Sequence, residues 1–184
     1  MSLLNFFRNL FGKKSRFFLK KSQRPLGTAK SVGQELYPVV SGRILIFEDS
    51  ETWSSIMKKA LEKEGHTVFV SPEALKAAEL VKLRRPNLVL MDINMPGISG
   101  FEATRSIKSR PENQKLPILI LTGQNTPFDR MESMKQGARA YICKEQPLED
   151  IVIAINAYMR NPALKSDISG IIHAQRAINK PHKT

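Results

Sequence analysis

The chain has 184 residues, of which 41% are hydrophobic and 25% charged, a composition that supports a sizeable core and argues against wholesale disorder. A single cysteine excludes an internal disulfide framework and a cysteine-rich zinc site. No apolar run reaches the roughly 18 residues that a membrane-spanning helix needs. The formal net charge of +12 is uneven, with 8 basic and 1 acidic residues in 1–40, 17 and 15 in 41–160, and 4 and 1 in 161–184. A nearly balanced centre therefore lies between two basic ends. The single cysteine suits a reducing compartment, and the protein is expected to be cytoplasmic.

Composition divides the chain into four segments. Residues 1–24 are predicted to be a basic amphipathic segment, and 25–42, with several glycines and prolines, are predicted to be a linker. The folded domain is predicted to span 43–160. Residues 161–184 are predicted to form a basic tail.

The amino-terminal segment leaves three interpretations open. On a helical projection, bulky apolar side chains share one side; these are Leu3, Leu4, Phe6, Phe7, Leu10 and Phe11. Basic residues follow, so residues 1–24 could form an interfacial helix at the inner surface of the membrane, a helix that docks on a partner, or a flexible basic extension. Nucleic-acid binding is not expected, because no recognition motif accompanies the basic residues.

The centre of the chain alternates between short apolar runs, typical of strands, and segments whose apolar residues have helical spacing. The predicted strands are 43–47, 66–70, 87–91, 116–121 and 138–142, and the predicted helices are 52–64, 72–84, 101–109, 127–136 and 147–160. Trp53 lies in the first predicted helix and is expected to serve core or helix packing rather than ligand contact. Gly65 ends this helix, and Ser71 with Pro72 indicates the start of the second. Five strands alternating with five helices predict an α/β fold, a doubly wound parallel sheet with helices on both faces.

Reactive side chains follow four of the predicted strands. Glu48 and Asp49 follow the first strand, Asp92 the third, Thr122 the fourth and Lys144 the fifth. In an open parallel sheet these ends meet at the edge where ligands bind. Three carboxylates in one place repel one another unless a cation joins them, and an all-oxygen ligand set favours Mg²⁺ over a softer metal.

Four fragments of the sequence resemble the receiver domain of two-component response regulators over about residues 43–160. They are Glu48-Asp49, the MDINMPG run at 91–97, Leu121-Thr122-Gly123, and the YICK run at 141–144. The separations between the acids, the hydroxyl and the lysine, 43, 30 and 22 residues from Asp49 onward, also match the family pattern. The resemblance implies a flavodoxin-like five-stranded sheet with strand order 2-1-3-4-5.

The resemblance also implies the chemistry at this edge. Asp92 would accept a phosphoryl group from a sensor histidine kinase or a phosphotransfer protein. Lys144 would pair with the phosphoryl oxygens, and Thr122 would hydrogen-bond to one of them after transfer. Positioning and charge neutralisation are what phosphoryl transfer requires.

The metal site and the regulatory positions are implied in the same way. Glu48, Asp49, Asp92 and the backbone carbonyl of Asn94 would hold Mg²⁺. Tyr141 would act as an aromatic switch, coupling a movement of Thr122 to a face at residues 126–160 that binds an output partner. Asn94 and Gln124 occupy the positions that tune self-dephosphorylation.

Two positions depart from the commoner family pattern. Glu48 stands where many members carry aspartate, and it is still expected to reach the metal directly or through water. Gly123 stands where a small alanine is more usual, which is expected to loosen the loop after Thr122.

The functional prediction is a stand-alone response regulator that catalyses its own phosphoryl transfer and slow dephosphorylation, rather than an enzyme acting on other substrates. Its signal would be a change in partner affinity. One alternative is an unphosphorylated scaffold that uses the fold only for binding, or an adaptor acting through residues 1–24. Another is an aspartyl-phosphate phosphatase, which needs an acid two residues after the nucleophile, where this chain has Asn94.

Overall fold

A computed structural model describes residues 40–123, 126–162, 164 and 170–172. The described residues contain a five-stranded sheet in the order β2-β1-β3-β4-β5, with every neighbouring pair parallel. The strands are β1 (Arg43–Phe47), β2 (Thr67–Ser71), β3 (Leu88–Met91), β4 (Ile118–Thr122) and β5 (Ala140–Cys143). The predicted doubly wound topology and strand order are confirmed.

Five helices connect and flank these strands. They are α1 (Glu51–Lys63), α2 (Ala77–Arg84), α3 (Gly100–Lys108), α4 (Pro127–Lys135) and α5 (Leu148–Arg160), with a short 3₁₀ turn at Pro111–Asn113 between α3 and β4. Gly65 follows α1 with φ of +89°, a left-handed conformation that suits glycine at a helix end. Each helix runs back along the strand before it, so helix carboxyl ends lie toward the amino ends of the strands.

The core has two layers, one on each face of the sheet. Alternating residues of one strand contribute to opposite layers: in β1, Ile44 and Ile46 pack with α1 and α5, whereas Leu45 and Phe47 pack with α2 and α3. Because successive side chains of a strand point to opposite faces, a strand covered on both faces needs a continuous apolar sequence. This arrangement explains the apolar runs and holds the strand ends rigidly at one edge.

The start of the second helix differs from the prediction. Ser71 is the last residue of β2, in register with Phe47, and its carbonyl accepts a hydrogen bond from Glu48 N at 3.0 Å. Its hydroxyl donates to the Glu73 carbonyl at 2.7 Å, so Ser71 organises a turn and α2 begins only at Ala77. Pairing with β1 therefore prevails over the local capping signal of Ser71 and Pro72.

The terminal segments are only partly described. Residues 1–39, which contain the predicted amphipathic segment and most of the linker, lie outside the described residues. Beyond α5, Leu164, Ile171 and Ile172 are buried in the same core layer as α1 and α5. Among the residues that the structure describes, none forms a helix long and apolar enough to cross a bilayer.

Hydrogen bonds and a close backbone contact fix the loop between β3 and α3 next to Asp92. A reciprocal capping box joins Ser99 and Glu102: the Ser99 hydroxyl accepts from Glu102 N at 3.3 Å, and the Glu102 carboxylate accepts from Ser99 N at 3.0 Å. Gly100 N donates to the Ile93 carbonyl at 2.8 Å. A Cβ atom at Gly100 would overlap the Asp92 carbonyl, so only glycine allows this close approach of the two backbones.

We expect Gly100→Ala to lower the free energy of unfolding by about 1–3 kcal/mol, because the new methyl group pushes on backbone that cannot yield. Gly123→Ala is the matched control, since a Cβ there meets nothing within 4 Å. Urea unfolding of both variants measures the difference. Equal stability of the two variants would contradict the assigned backbone contact.

Candidate functional site

The carboxyl ends of four strands bring together the residues predicted from the sequence. Glu48 follows β1, Asp92 follows β3, Thr122 ends β4 and Lys144 follows β5. The Lys144 ammonium lies 2.7 Å from Asp92 Oδ2 and 2.5 Å from Glu48 Oε2. One cation therefore joins carboxylates from two different strands, and the side chain that supplies it comes from a third.

Asp49 completes a cluster of three acids. One carboxylate oxygen from each of Glu48, Asp49 and Asp92 lies within 4.8 Å of the others. Glu48 and Asp92 are buried, whereas Asp49 is exposed to solvent. Burial raises the pKa of Glu48 above its ordinary value, an effect that Lys144 opposes and that the nearby negative charge of Asp92 reinforces.

These acids fit a hard divalent cation. All three side chains offer only oxygen, and the described residues place no histidine or cysteine in the cluster. The Lys144 ammonium lies between two of the carboxylates. Its positive charge reduces the repulsion between them. One ammonium cannot neutralise three carboxylates, so the cluster keeps an excess of negative charge that suits a divalent cation.

Backbone groups orient the two buried acids. Ser50 N donates to Glu48 Oε1 at 3.3 Å, and Asn94 N donates to Asp92 Oδ1 at 3.4 Å. Asp92 is also tied to β1, because its own N–H donates to the Phe47 carbonyl at 3.0 Å. The acids thus lie on a rigid frame, while Asn94, the predicted carbonyl ligand, is exposed beside Asp92.

Thr122 and Tyr141 lie next to this frame on the last two strands. Thr122 is fully buried, in register with Cys143, and its carbonyl accepts from Lys144 N at 2.9 Å. Tyr141 is 3% exposed, so its ring already lies inward, and the Arg130 guanidinium is 5.3 Å from the ring centroid. Burial raises the pKa of the Tyr141 hydroxyl. The role of Tyr141 as a switch stays a prediction.

Gln124 and Trp53 are the remaining positions that the sequence singled out. Gln124 lies outside the described residues. Trp53 packs on the core layer as expected, and its ring centroid also lies 4.9 Å from the Lys144 ammonium, a cation–π contact. The sequence places Trp53 in the first turn of the helix that follows Glu48-Asp49, and therefore near the acids. It does not predict that the cation beside the ring is Lys144, which follows a different strand.

Residues 44–156 match the family model described as the response regulator receiver domain. The chain belongs to this family of non-enzymatic signalling domains in two-component systems, and it functions as a response regulator. Receiver domains of the family interact with histidine kinases or phosphotransfer proteins and bind Mg²⁺ at an acidic pocket. Family membership also implies phosphorylation of an aspartate.

Two relatives are similar to this chain in sequence. The chain is 37% identical over 117 residues to PilH of Pseudomonas aeruginosa, covering 64% of this chain and 97% of that protein. It is 29% identical over 145 residues to the phosphate regulon regulatory protein PhoB of Rhizobium meliloti, covering 77% of this chain but only 64% of PhoB.

Solved structures agree with the fold. The BeF3-activated receiver domain of RstA from Klebsiella pneumoniae has a TM-score of 0.60 at 27% identity, covering 65% of this chain and 99% of that one. The Mn²⁺-bound form of response regulator Rcp1 has a TM-score of 0.55 at 25% identity, covering 64% and 91%.

We expect the affinity for Mg²⁺ to fall as the pH is lowered, beginning above pH 4.5, the ordinary pKa of glutamate. The raised pKa of Glu48 means that this carboxyl takes up a proton, and stops attracting the cation, at a higher pH than an exposed glutamate would. Titration with MgCl₂ monitored by Trp53 fluorescence measures the affinity, because the ring lies beside Lys144.

Glu48→Gln should weaken Mg²⁺ binding at neutral pH and remove this part of the pH dependence. Glu51→Gln, an exposed acid in the first turn of α1 outside the cluster, is the matched control. An affinity of the unsubstituted chain that is constant down to pH 4.5 would show that Glu48 is not a ligand with a raised pKa.

Proposed function

We propose that Asp92 is the phosphoacceptor of this response regulator and that Lys144 and Thr122 assist the transfer. The observation that carries the proposal is the Lys144 ammonium, 2.7 Å from Asp92 at the edge where four strands end. A carboxylate that is 6% exposed and paired with a lysine is held in one orientation, with its remaining oxygen directed by Asn94 N. Such positioning lowers the barrier of an in-line displacement.

Mg²⁺ is proposed to bind Glu48, Asp49 and Asp92, with the Asn94 carbonyl as a further ligand. The all-carboxylate cluster and the Mn²⁺-bound structure of the similar protein Rcp1 support this assignment. When bound, the ion neutralises charge on the transferring phosphoryl oxygens. The chain itself supplies the nucleophile, the ligand geometry and the ammonium.

The transfer step moves a phosphoryl group from nitrogen to oxygen. A carboxylate oxygen of Asp92 forms a bond to phosphorus while the P–N bond of the donor's phosphohistidine breaks. The leaving nitrogen takes the bonding electron pair, and because the donor ring carries a proton on its other nitrogen, it leaves as a neutral imidazole. Lys144 turns from the Asp92 carboxylate toward the phosphoryl oxygens, and the Thr122 hydroxyl donates a hydrogen bond to one of them. Hydrolysis of the acyl phosphate returns the site to its starting state, with Asn94 and Gln124 orienting the water.

The output is proposed to pass through the face at residues 126–160. Three apolar side chains of α4 are largely exposed there: Phe128 at 64%, Met131 at 61% and Met134 at 44%. Tyr141 lies on the neighbouring strand with Arg130 of α4 over its ring, so a change at Thr122 can reach α4 through one side chain. This apolar face suits a partner protein whose affinity changes on phosphorylation.

Incubation with acetyl phosphate and Mg²⁺ should add one acid-labile phosphoryl group per chain, detected by intact-protein mass spectrometry. Asp92→Asn should abolish the mass gain, and Glu51→Gln should leave it unchanged. Lys144→Met should slow the reaction by about a hundredfold, the usual cost of removing one preorganised charge from a transition state. A mass gain that survives Asp92→Asn would refute the assignment, and the absence of any gain would favour the unphosphorylated scaffold.

A further inference from the structure

An open groove of about 620 Å³ lies between α2 and the loop after α3. It is lined by Glu79, Lys82, Leu83, Arg85 and Arg110. Helix carboxyl ends and strand amino ends share this side of the molecule, so the groove lies toward the edge of the sheet opposite Asp92. The phosphoacceptor chemistry does not use any of these residues.

The groove has an excess of positive charge. Arg110 Nη2 pairs with Glu79 Oε1 at 2.6 Å, which neutralises the one acid in the lining. Within the described part of the chain, Lys82 and Arg85 have no acidic partner at salt-bridge distance. Arg43, at the start of β1, adds a further cation because its Nε donates to the Arg85 carbonyl at 2.8 Å. Unpaired cations around one groove attract a polyanionic surface.

The backbone at Arg85 is unusual. Its φ of +48° makes it the single non-glycine residue with a positive φ among those the structure describes. Two hydrogen bonds hold it there, from Arg85 N to the Val81 carbonyl and from Arg43 Nε to the Arg85 carbonyl, both at 2.8 Å. A glycine or asparagine would end α2 with less strain, so an arginine at this position indicates a use for its side chain.

The exposed Leu83 favours an anionic membrane over a nucleic acid as the partner of the groove. It lies in the groove lining with 70% of its surface exposed, more than any other large apolar side chain described. An exposed aliphatic side chain among cations matches the interfacial region of an anionic bilayer, where headgroups attract lysine and arginine and the acyl boundary accepts leucine. A phosphate-lined nucleic acid groove offers the leucine no such environment.

The amino-terminal residues are joined to the folded domain on the same side as the groove. Val40 and Arg43 lead into β1 beside Arg85, so residues 1–39 join the folded domain at the groove end. Residues 1–24 carry seven basic and no acidic side chains, interspersed with leucine and phenylalanine. The net charge of residues 1–24 therefore has the same sign as that of the groove.

We propose that the groove formed by Lys82, Leu83, Arg85 and Arg110 docks this protein on an anionic lipid membrane. The carboxyl end of α2 faces the bilayer in this arrangement, and the edge bearing Asp92 faces away from it. The docking surface is separate from the phosphoacceptor site and does not depend on phosphorylation.

Co-sedimentation of the full chain with vesicles tests the proposal. Vesicles of equal parts phosphatidylcholine and phosphatidylglycerol should bind it, with binding that weakens as salt is added, whereas pure phosphatidylcholine vesicles should not. Replacing three cations, by Lys82→Gln, Arg85→Gln and Arg110→Gln together, should weaken the partition coefficient at least about tenfold, since each cation at an anionic surface contributes about fivefold. Leu83→Ser alone should weaken it by several-fold.

The matched control removes the same charge elsewhere, by Lys59→Gln, Lys76→Gln and Lys135→Gln, three exposed lysines outside the groove. This variant should keep most of the binding, and unchanged unfolding midpoints should show that both variants are folded. Equal losses in the two variants, no loss in either, or no binding to the anionic vesicles would overturn the proposal. Groove-dependent binding of a DNA duplex without vesicle binding would also overturn it and assign the groove to nucleic acid.

Trp53 reports the orientation, because it is the only tryptophan and lies beside Lys144 at the opposite edge. Vesicles with bromine on the acyl chains should bind the chain without quenching its fluorescence. Strong quenching would place the Asp92 edge at the bilayer and overturn the proposed orientation.

Discussion

The contact of the Lys144 ammonium with Glu48 and Asp92 is the interaction on which the rest of this site depends. Two buried carboxylates within reach of one another repel, and burial raises the energy of each charge, as the raised pKa of Glu48 indicates. The ammonium, 2.5 Å from one and 2.7 Å from the other, compensates part of that charge across three strands. The remaining negative charge attracts a divalent cation, and in the proposed function that cation and Lys144 together offset the negative charge of the incoming phosphoryl group.

This contact requires a rigid sheet. Lys144 and Asp92 are 52 residues apart in sequence, and their distance is set by the register of β3, β4 and β5. Both faces of these strands are covered by helices, so a strand cannot shift without exposing an apolar layer. The close approach of Gly100 to the Asp92 backbone also restricts the position of Asp92. In the proposed function the signal passes from Thr122 through Tyr141 to α4, whose Arg130 lies over the Tyr141 ring.

The two edges of the sheet carry opposite kinds of surface. Acids gather where the strands end, and cations gather where the helices end, an arrangement that the helix dipoles favour in part. The dipoles account for a basic residue in the last turn of α2, but not for the left-handed Arg85 or the exposed Leu83. The proposed chemistry and the proposed membrane docking are compatible with each other, because each uses a different end of the domain.

Much of the fold could be predicted from the chain alone. Local periodicity determined the number and type of the elements, and the positions of Glu48, Asp92 and Lys144 just after apolar runs determined which side chains reach the active edge. The start of α2 could not be predicted, because pairing of Ser71 with β1 prevails over a local capping signal. Only the tertiary structure decided that Trp53 lies against Lys144 and that Arg110 joins Lys82 in one groove, because such contacts depend on strand order and helix packing between residues far apart in sequence.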